Sequence, residues 1–65
     1  MPDPAAVVAL YRSMSDQWLA DMRSAFLMDR EANRTRGNDP GVRFCDSRLK
    51  LIAREQSRRT KRRRR

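Results

Sequence analysis

The residues of this sequence best suited to chemistry are cations, and most lie in its second half. Arg43, Lys50, Arg54 and Lys61 follow one another at spacings of 7, 4 and 7 residues, which places them on one side of an α-helix. The segment 58–65 contains seven basic side chains in eight residues. Cations in a line can pair with successive phosphates and release condensed counterions, and arginine can donate two parallel hydrogen bonds to one phosphate. This pattern indicates a polyanion-binding surface.

Nucleic acid is the polyanion that we expect, and DNA, RNA and an acidic protein surface remain open. For Arg43, Lys50 and Arg54 taken alone, a merely solvated helix face is the competing interpretation. The segment 58–65 has no aromatic side chain to stack on a base, and no Asn or Gln follows Gln56, so we expect little sequence specificity. The candidate nucleic-acid-binding residues are Arg43, Lys50, Arg54, Arg58, Arg59, Lys61, Arg62, Arg63, Arg64 and Arg65.

Residues that would support catalysis are scarce. The sequence has no histidine, and its single cysteine, Cys45, falls on a predicted core-facing stripe with no imidazole to activate it. We therefore interpret Cys45 as a buried structural residue. The two glycines, Gly37 and Gly41, do not form a phosphate-binding loop. We expect no enzymatic activity, no cofactor, no metal site and no small-molecule substrate.

Charge divides the chain into two halves. Residues 1–33 hold three arginines against five acids, a balance of −2, whereas residues 34–65 hold thirteen basic side chains against three acids, a balance of +10. The net charge of +8 therefore arises entirely from the second half. Any polyanion should bind there.

Two Asp-Pro pairs predict where helices begin, because Asp is a good N-cap and proline is favoured at the first helical position. Asp3-Pro4 predicts a first helix over 4–35, and Asp39-Pro40 predicts a second over 40–57, with a turn over 36–39 in which Gly37 ends the first helix. The predicted fold is all-α, an antiparallel helical hairpin over 1–57. The arginine-rich tail 58–65 should repel itself and stay disordered until a counter-charge binds.

Apolar residues in the first predicted helix recur at helical spacing from Val7 to Ala25, which indicates a core-facing stripe. The stripe of the second helix, from Val42 to Ala53, is narrower and cannot cover it. A chain of 65 residues without a disulfide also has little core of its own. We therefore expect a homo-oligomer or a protein partner, with the candidate interface residues Tyr11, Met14, Trp18, Met22, Phe26, Phe44 and Leu51.

These features favour a small non-enzymatic nucleic-acid-binding protein. The alternative is a structural or assembly component of a larger particle, such as a phage virion head or neck or a ribonucleoprotein, that packs through its apolar helix face. The acidic, proline-containing start and the short apolar run 5–10 predict neither a secretion signal nor a membrane span. We expect an intracellular location, in the cytoplasm or inside a virion, and no membrane partner.

Overall fold

Three helices account for nearly all of residues 3–63, the part of the chain that the computed structural model describes. They are α1 (Pro4–Ser13), α2 (Asp16–Thr35) and α3 (Asp39–Arg63). The all-helical prediction is confirmed. The prediction of one uninterrupted helix over 4–35 is wrong, because the chain leaves helical geometry between Ser13 and Asp16. The arrangement therefore has three helices where two were predicted.

A strong N-cap causes the break. Ser15 has extended backbone angles, and its hydroxyl accepts a hydrogen bond from the backbone N–H of Trp18 at 3.1 Å, so a new helix begins at Asp16. Met14 is also extended, with φ −86° and ψ 153°. At the other end of α1, the Asp3 carboxylate accepts from the Ala5 N–H at 3.0 Å, as the Asp-Pro pair predicted.

Gly37 ends α2, as predicted, with φ at +72°, a left-handed conformation that glycine adopts without strain. The N–H of Asn38 donates to the carbonyl of Asn33, and that of Gly37 donates to the carbonyl of Arg34, the pair of bonds that defines a Schellman motif. Asn38 then caps α3 by accepting from the Gly41 N–H at 3.3 Å. The helix thus begins one residue earlier than predicted, at Asp39.

The core lies where the three helices meet, and its buried members are Tyr11, Leu19 and Ile52. Arg30 pairs with Asp46 near the turn and Asp16 pairs with Arg59 at the opposite end, so α2 and α3 run in opposite directions. Leu19 and Ile52 are fully buried, and each contributes about 1.5–3 kcal/mol by leaving water. Cys45 is also buried, as predicted. Within 3–63, no helix combines the length and the apolar character needed to cross a bilayer.

Candidate nucleic-acid interface

The α3 basic ridge consists of Arg43, Lys50, Arg54 and Lys61, and all four are exposed. Cys45 and Ile52, on the opposite side of the same helix, are buried. At 1.5 Å per residue the ridge is about 27 Å long. Among residues 3–63, none of the four ridge side chains forms an ion pair with an acid. The ridge therefore presents uncompensated charge to solvent.

An open groove of about 680 Å³ runs beside the ridge, between α1 and α3, and we name it the α1–α3 groove. Its apolar lining includes Val8, Leu51 and Ala53, and its cations are Arg12, Lys50, Arg54, Arg58 and Lys61. A second, smaller depression of about 400 Å³ lies at the other end of the ridge, beside Arg43. The basic surface thus contains two depressions, and the lining of the α1–α3 groove is partly apolar.

Arg59 lies in the packing between the helices, although the sequence predicted it at the nucleic-acid surface. Its side chain is only 17% exposed. Nε donates to Glu55 and Nη1 donates to Asp16, each at 2.7 Å. Nη2 donates to three carbonyl oxygens at the end of α1, those of Tyr11 at 3.1 Å, Arg12 at 3.2 Å and Met14 at 2.6 Å. All three guanidinium nitrogens of Arg59 thus already have acceptors inside the protein, and its assignment to phosphate binding stays a prediction.

Glu55 is the buried acid of this network, and it was not among the predicted site residues. Its side chain is 6% exposed and accepts two hydrogen bonds from Arg58, at 3.0 and 2.7 Å, and one from Arg59. The hydrogen bonds from Arg58, and then those from Arg59, lower the pKa of Glu55 from 4.5 to about 2, against the opposing effect of burial. Glu55 therefore remains ionised under ordinary conditions.

Asp16 closes the network from α2. It accepts hydrogen bonds from Arg59 and from Arg63, and these lower its pKa, with the Arg59 bond the larger cause. Asp16 in turn raises the pKa of Arg59, and Glu55 raises the pKa of Arg58. Two acids thus pair with three of the candidate nucleic-acid-binding arginines, Arg58, Arg59 and Arg63.

Of the predicted tail, residues 58–63 continue α3. Glu55 and Asp16 form ion pairs with three of the five cations in this segment, Arg58, Arg59 and Arg63. Lys61 and Arg62 are exposed on the same helix. Arg64 and Arg65, also predicted to bind nucleic acid, lie outside the described residues.

The predicted partner-interface residues are distributed differently from expectation. Tyr11 is buried in the core, and its ring centroid lies 5.8 Å from that of Trp18. Other predicted interface residues pack partly buried against the same core, namely Met14, Trp18, Met22, Phe26 and Leu51. Phe44 is 53% exposed, with its ring 6.3 Å from that of Phe26 and the Arg48 guanidinium 5.0 Å above it. Met28, which was not predicted, is the most exposed large apolar residue of the described chain, at 74%.

The fold and the site define a small all-helical protein whose last helix carries a basic ridge opposite its buried side. Residues 3–63 contain no cluster of three or more side chains suited to holding a metal ion. Comparison of the chain with protein-family models, curated proteins and solved structures found no match.

Proposed function

We propose that this protein binds nucleic acid through its phosphates, without enzymatic activity and with little dependence on sequence. The observation that carries the proposal is the α3 basic ridge, whose cations are exposed, aligned along one helix and unpaired with acids among residues 3–63. The helix holds their backbone positions in line before any ligand arrives. The backbone therefore does not have to become ordered when a ligand binds.

Arg62, exposed on α3, extends the positive surface beyond the ridge. Each phosphate neutralised on a duplex contributes about 0.9 to the slope of log affinity against log salt. Four to six contacts would therefore give a slope of about −4 to −5. Binding would be strong at low ionic strength and weak at high ionic strength.

The test compares two triple variants that both lower the net charge by three. The ridge variant carries Arg43→Gln, Lys50→Gln and Arg54→Gln. The control carries Arg23→Gln, Arg34→Gln and Arg36→Gln, all exposed and on or beside α2. Affinity for a labelled duplex of about 20 base pairs and for a single strand of the same length is measured by fluorescence anisotropy across a salt series.

We expect the ridge variant to lose about 2.7 from the duplex salt slope and, near 0.1 M salt, on the order of 100-fold in affinity. The control should lose less than about 1 from the slope, because its charges do not contact phosphate. Equal losses in the two variants would show that net charge alone drives binding, and would refute the ridge as the site. Circular dichroism of both variants checks that the helices are retained.

A role as an assembly component is the second candidate, and the exposure of Met28, Phe44, Leu27 and Leu10 favours it. Apolar side chains of this size on a small protein commonly mark contact surfaces. In this proposal the chain forms a homo-oligomer or packs on a larger particle, and its cations face nucleic acid or acidic neighbours. Light scattering after size exclusion at low and high salt tests it, because a monomer under both conditions would exclude the homo-oligomer.

A further inference from the structure

The α1–α3 groove combines two chemical features that phosphate binding alone does not require. Its lining is more apolar than polar, with Val8 contributed by α1 and Leu51 and Ala53 by α3. Five cations lie along the same lining, from Arg12 on α1 to Lys61 on α3. A nucleic-acid backbone would satisfy the cations but offers no aliphatic groups to cover the apolar floor.

The lining of the groove contains five cations and one acid that is already paired. Glu55 is the single acid in its lining, and Arg58 and Arg59 already neutralise it through three hydrogen bonds. An incoming anion therefore meets Arg12, Lys50 and Arg54 with no competing free carboxylate on the groove wall. The complementary ligand carries negative charge at its edges and apolar groups at its centre.

We propose that the α1–α3 groove binds an acidic amphipathic helix of a partner protein. Leucine-like side chains on one face of that helix would cover Val8 and Leu51, and aspartates or glutamates beside them would pair with the groove cations. A second copy of this chain fits poorly, because each copy carries a net charge of +8 and two copies repel. The groove extends along α3 from Lys50 to Lys61, about 16 Å, which matches three turns of a bound helix.

This inference does not depend on the proposed nucleic-acid function, but the two surfaces overlap. Lys50 and Arg54 belong both to the α3 basic ridge and to the groove lining. A bound acidic helix and a bound nucleic acid would therefore compete for the same cations. Such competition would let an acidic partner displace nucleic acid from the ridge.

The experiment uses the full chain and two labelled peptides of about 14 residues built from Glu, Leu and Ala. In the amphipathic peptide Leu recurs every three to four residues, and in the control peptide the same residues are ordered so that Leu is spread around the helix. Binding is measured by fluorescence anisotropy at fixed salt. We expect the amphipathic peptide to bind at least about ten-fold more tightly, since two or more leucines leave water only in that register.

Two matched single variants locate the site. Val8→Glu places a carboxylate in the apolar lining of the groove, whereas Val42→Glu makes the same change at a half-buried position of α3 outside the groove lining. We expect Val8→Glu to weaken amphipathic-peptide binding at least about ten-fold and Val42→Glu to weaken it less than about three-fold. An unlabelled single strand of about 20 nucleotides should displace the peptide.

Equal affinity for the two peptides would overturn the proposal, because it would show attraction by charge alone. Equal effects of Val8→Glu and Val42→Glu would do the same. The peptide comparison uses the unmodified protein and therefore decides the matter even if a variant does not fold. Loss of duplex binding in the ridge variant bears on the nucleic-acid function, whereas peptide discrimination bears on the groove, so the two proposals can fail separately.

Discussion

Replacing Glu55 by glutamine tests whether the buried ion network holds the helices together. The pKa of Glu55 falls from 4.5 to about 2 in the folded protein. At about 1.36 kcal/mol per pKa unit, the difference sets an upper limit of about 3 kcal/mol on the stabilisation at neutral pH. Because the Arg58 side chain is 39% exposed, water screens the pair, and we expect Glu55→Gln to cost about 1–2 kcal/mol. For a protein of this size, each 1 kcal/mol lowers the melting temperature by about 4–8 °C.

The pH dependence distinguishes this mechanism from simple loss of packing. A carboxylate whose pKa is lowered on folding stabilises the protein above its unfolded pKa, and the stabilisation disappears as pH falls through the folded pKa. The difference in melting temperature between the original protein and Glu55→Gln should therefore be constant above about pH 5 and shrink towards zero near pH 2. Asp16 titrates in both proteins, so its contribution largely cancels in the comparison.

The assay is thermal unfolding followed by circular dichroism at 222 nm, from pH 2 to pH 7 at fixed ionic strength. Glu31→Gln is the control, because Glu31 is an exposed acid of α2 that forms no ion pair within residues 3–63. It should change the melting temperature by no more than about 3 °C. A destabilisation by Glu55→Gln that is the same at pH 2 and pH 7, or no larger than that of Glu31→Gln, would refute the account of the network.

Two further substitutions test the helix packing and the break between α1 and α2. Leu19→Ala should lower the free energy of unfolding by about 2–5 kcal/mol, enough to unfold much of a protein this small at 25 °C. Leu27→Ala, at a half-exposed site, should lower it by less than about 1 kcal/mol. Urea unfolding measures both values. Ser15→Ala removes the hydroxyl that caps α2 and should cost about 1 kcal/mol, while Ser24→Ala in the exposed middle of α2 should be neutral or slightly stabilising in the same assay. If the two serine variants were equally stable, the hydroxyl would not be holding the start of α2.

Local sequence signals predicted the features that depend on neighbouring residues. The turn is one case, because Gly37 and the Asp-Pro pair at position 39 stop one helix and start the next within a few residues. The α3 basic ridge is another. The 7, 4 and 7 spacing fixed the side of the helix on which the cations lie, and the burial of Cys45 and Ile52 on the other side agrees with it.

The break at Met14 and Ser15 was missed because the apolar pattern continues across it. Tyr11, Met14 and Trp18 keep helical spacing and all pack on the same core, so periodicity predicted one helix where the chain makes two. The overlooked signal was local: Ser15-Asp16 is an N-cap followed by an acid in the first turn, which favours a helix start. A periodic stripe indicates which side of the chain is buried, but it does not show where one helix ends and the next begins.

Long-range pairing in the C-terminal segment could not be predicted by counting charges. The contact between Arg59 and Asp16 joins residues 43 positions apart, and no local pattern identifies it. The ion pairs of Glu55 could have been predicted, because arginines three and four residues later on a helix are favourable partners for an acid. Within this segment, Arg59 bonds to the end of α1 and Arg63 pairs with Asp16 of α2, whereas Lys61 and Arg62 are exposed.

Arg59 and the α3 basic ridge differ in their hydrogen-bond partners inside the protein, and this difference indicates where a phosphate should bind. To bind an external phosphate, Arg59 would have to give up hydrogen bonds to two acids and three carbonyl oxygens. The four residues of the α3 basic ridge have no acid partner to lose within residues 3–63. The salt slope should therefore follow the ridge rather than the total count of basic residues. The hydrogen bonds of Arg59 to the end of α1 hold α1 beside the ridge and so form the wall of the α1–α3 groove. Arg59 would then serve both proposed surfaces by holding their geometry, and its loss should weaken both without removing a ligand contact from either.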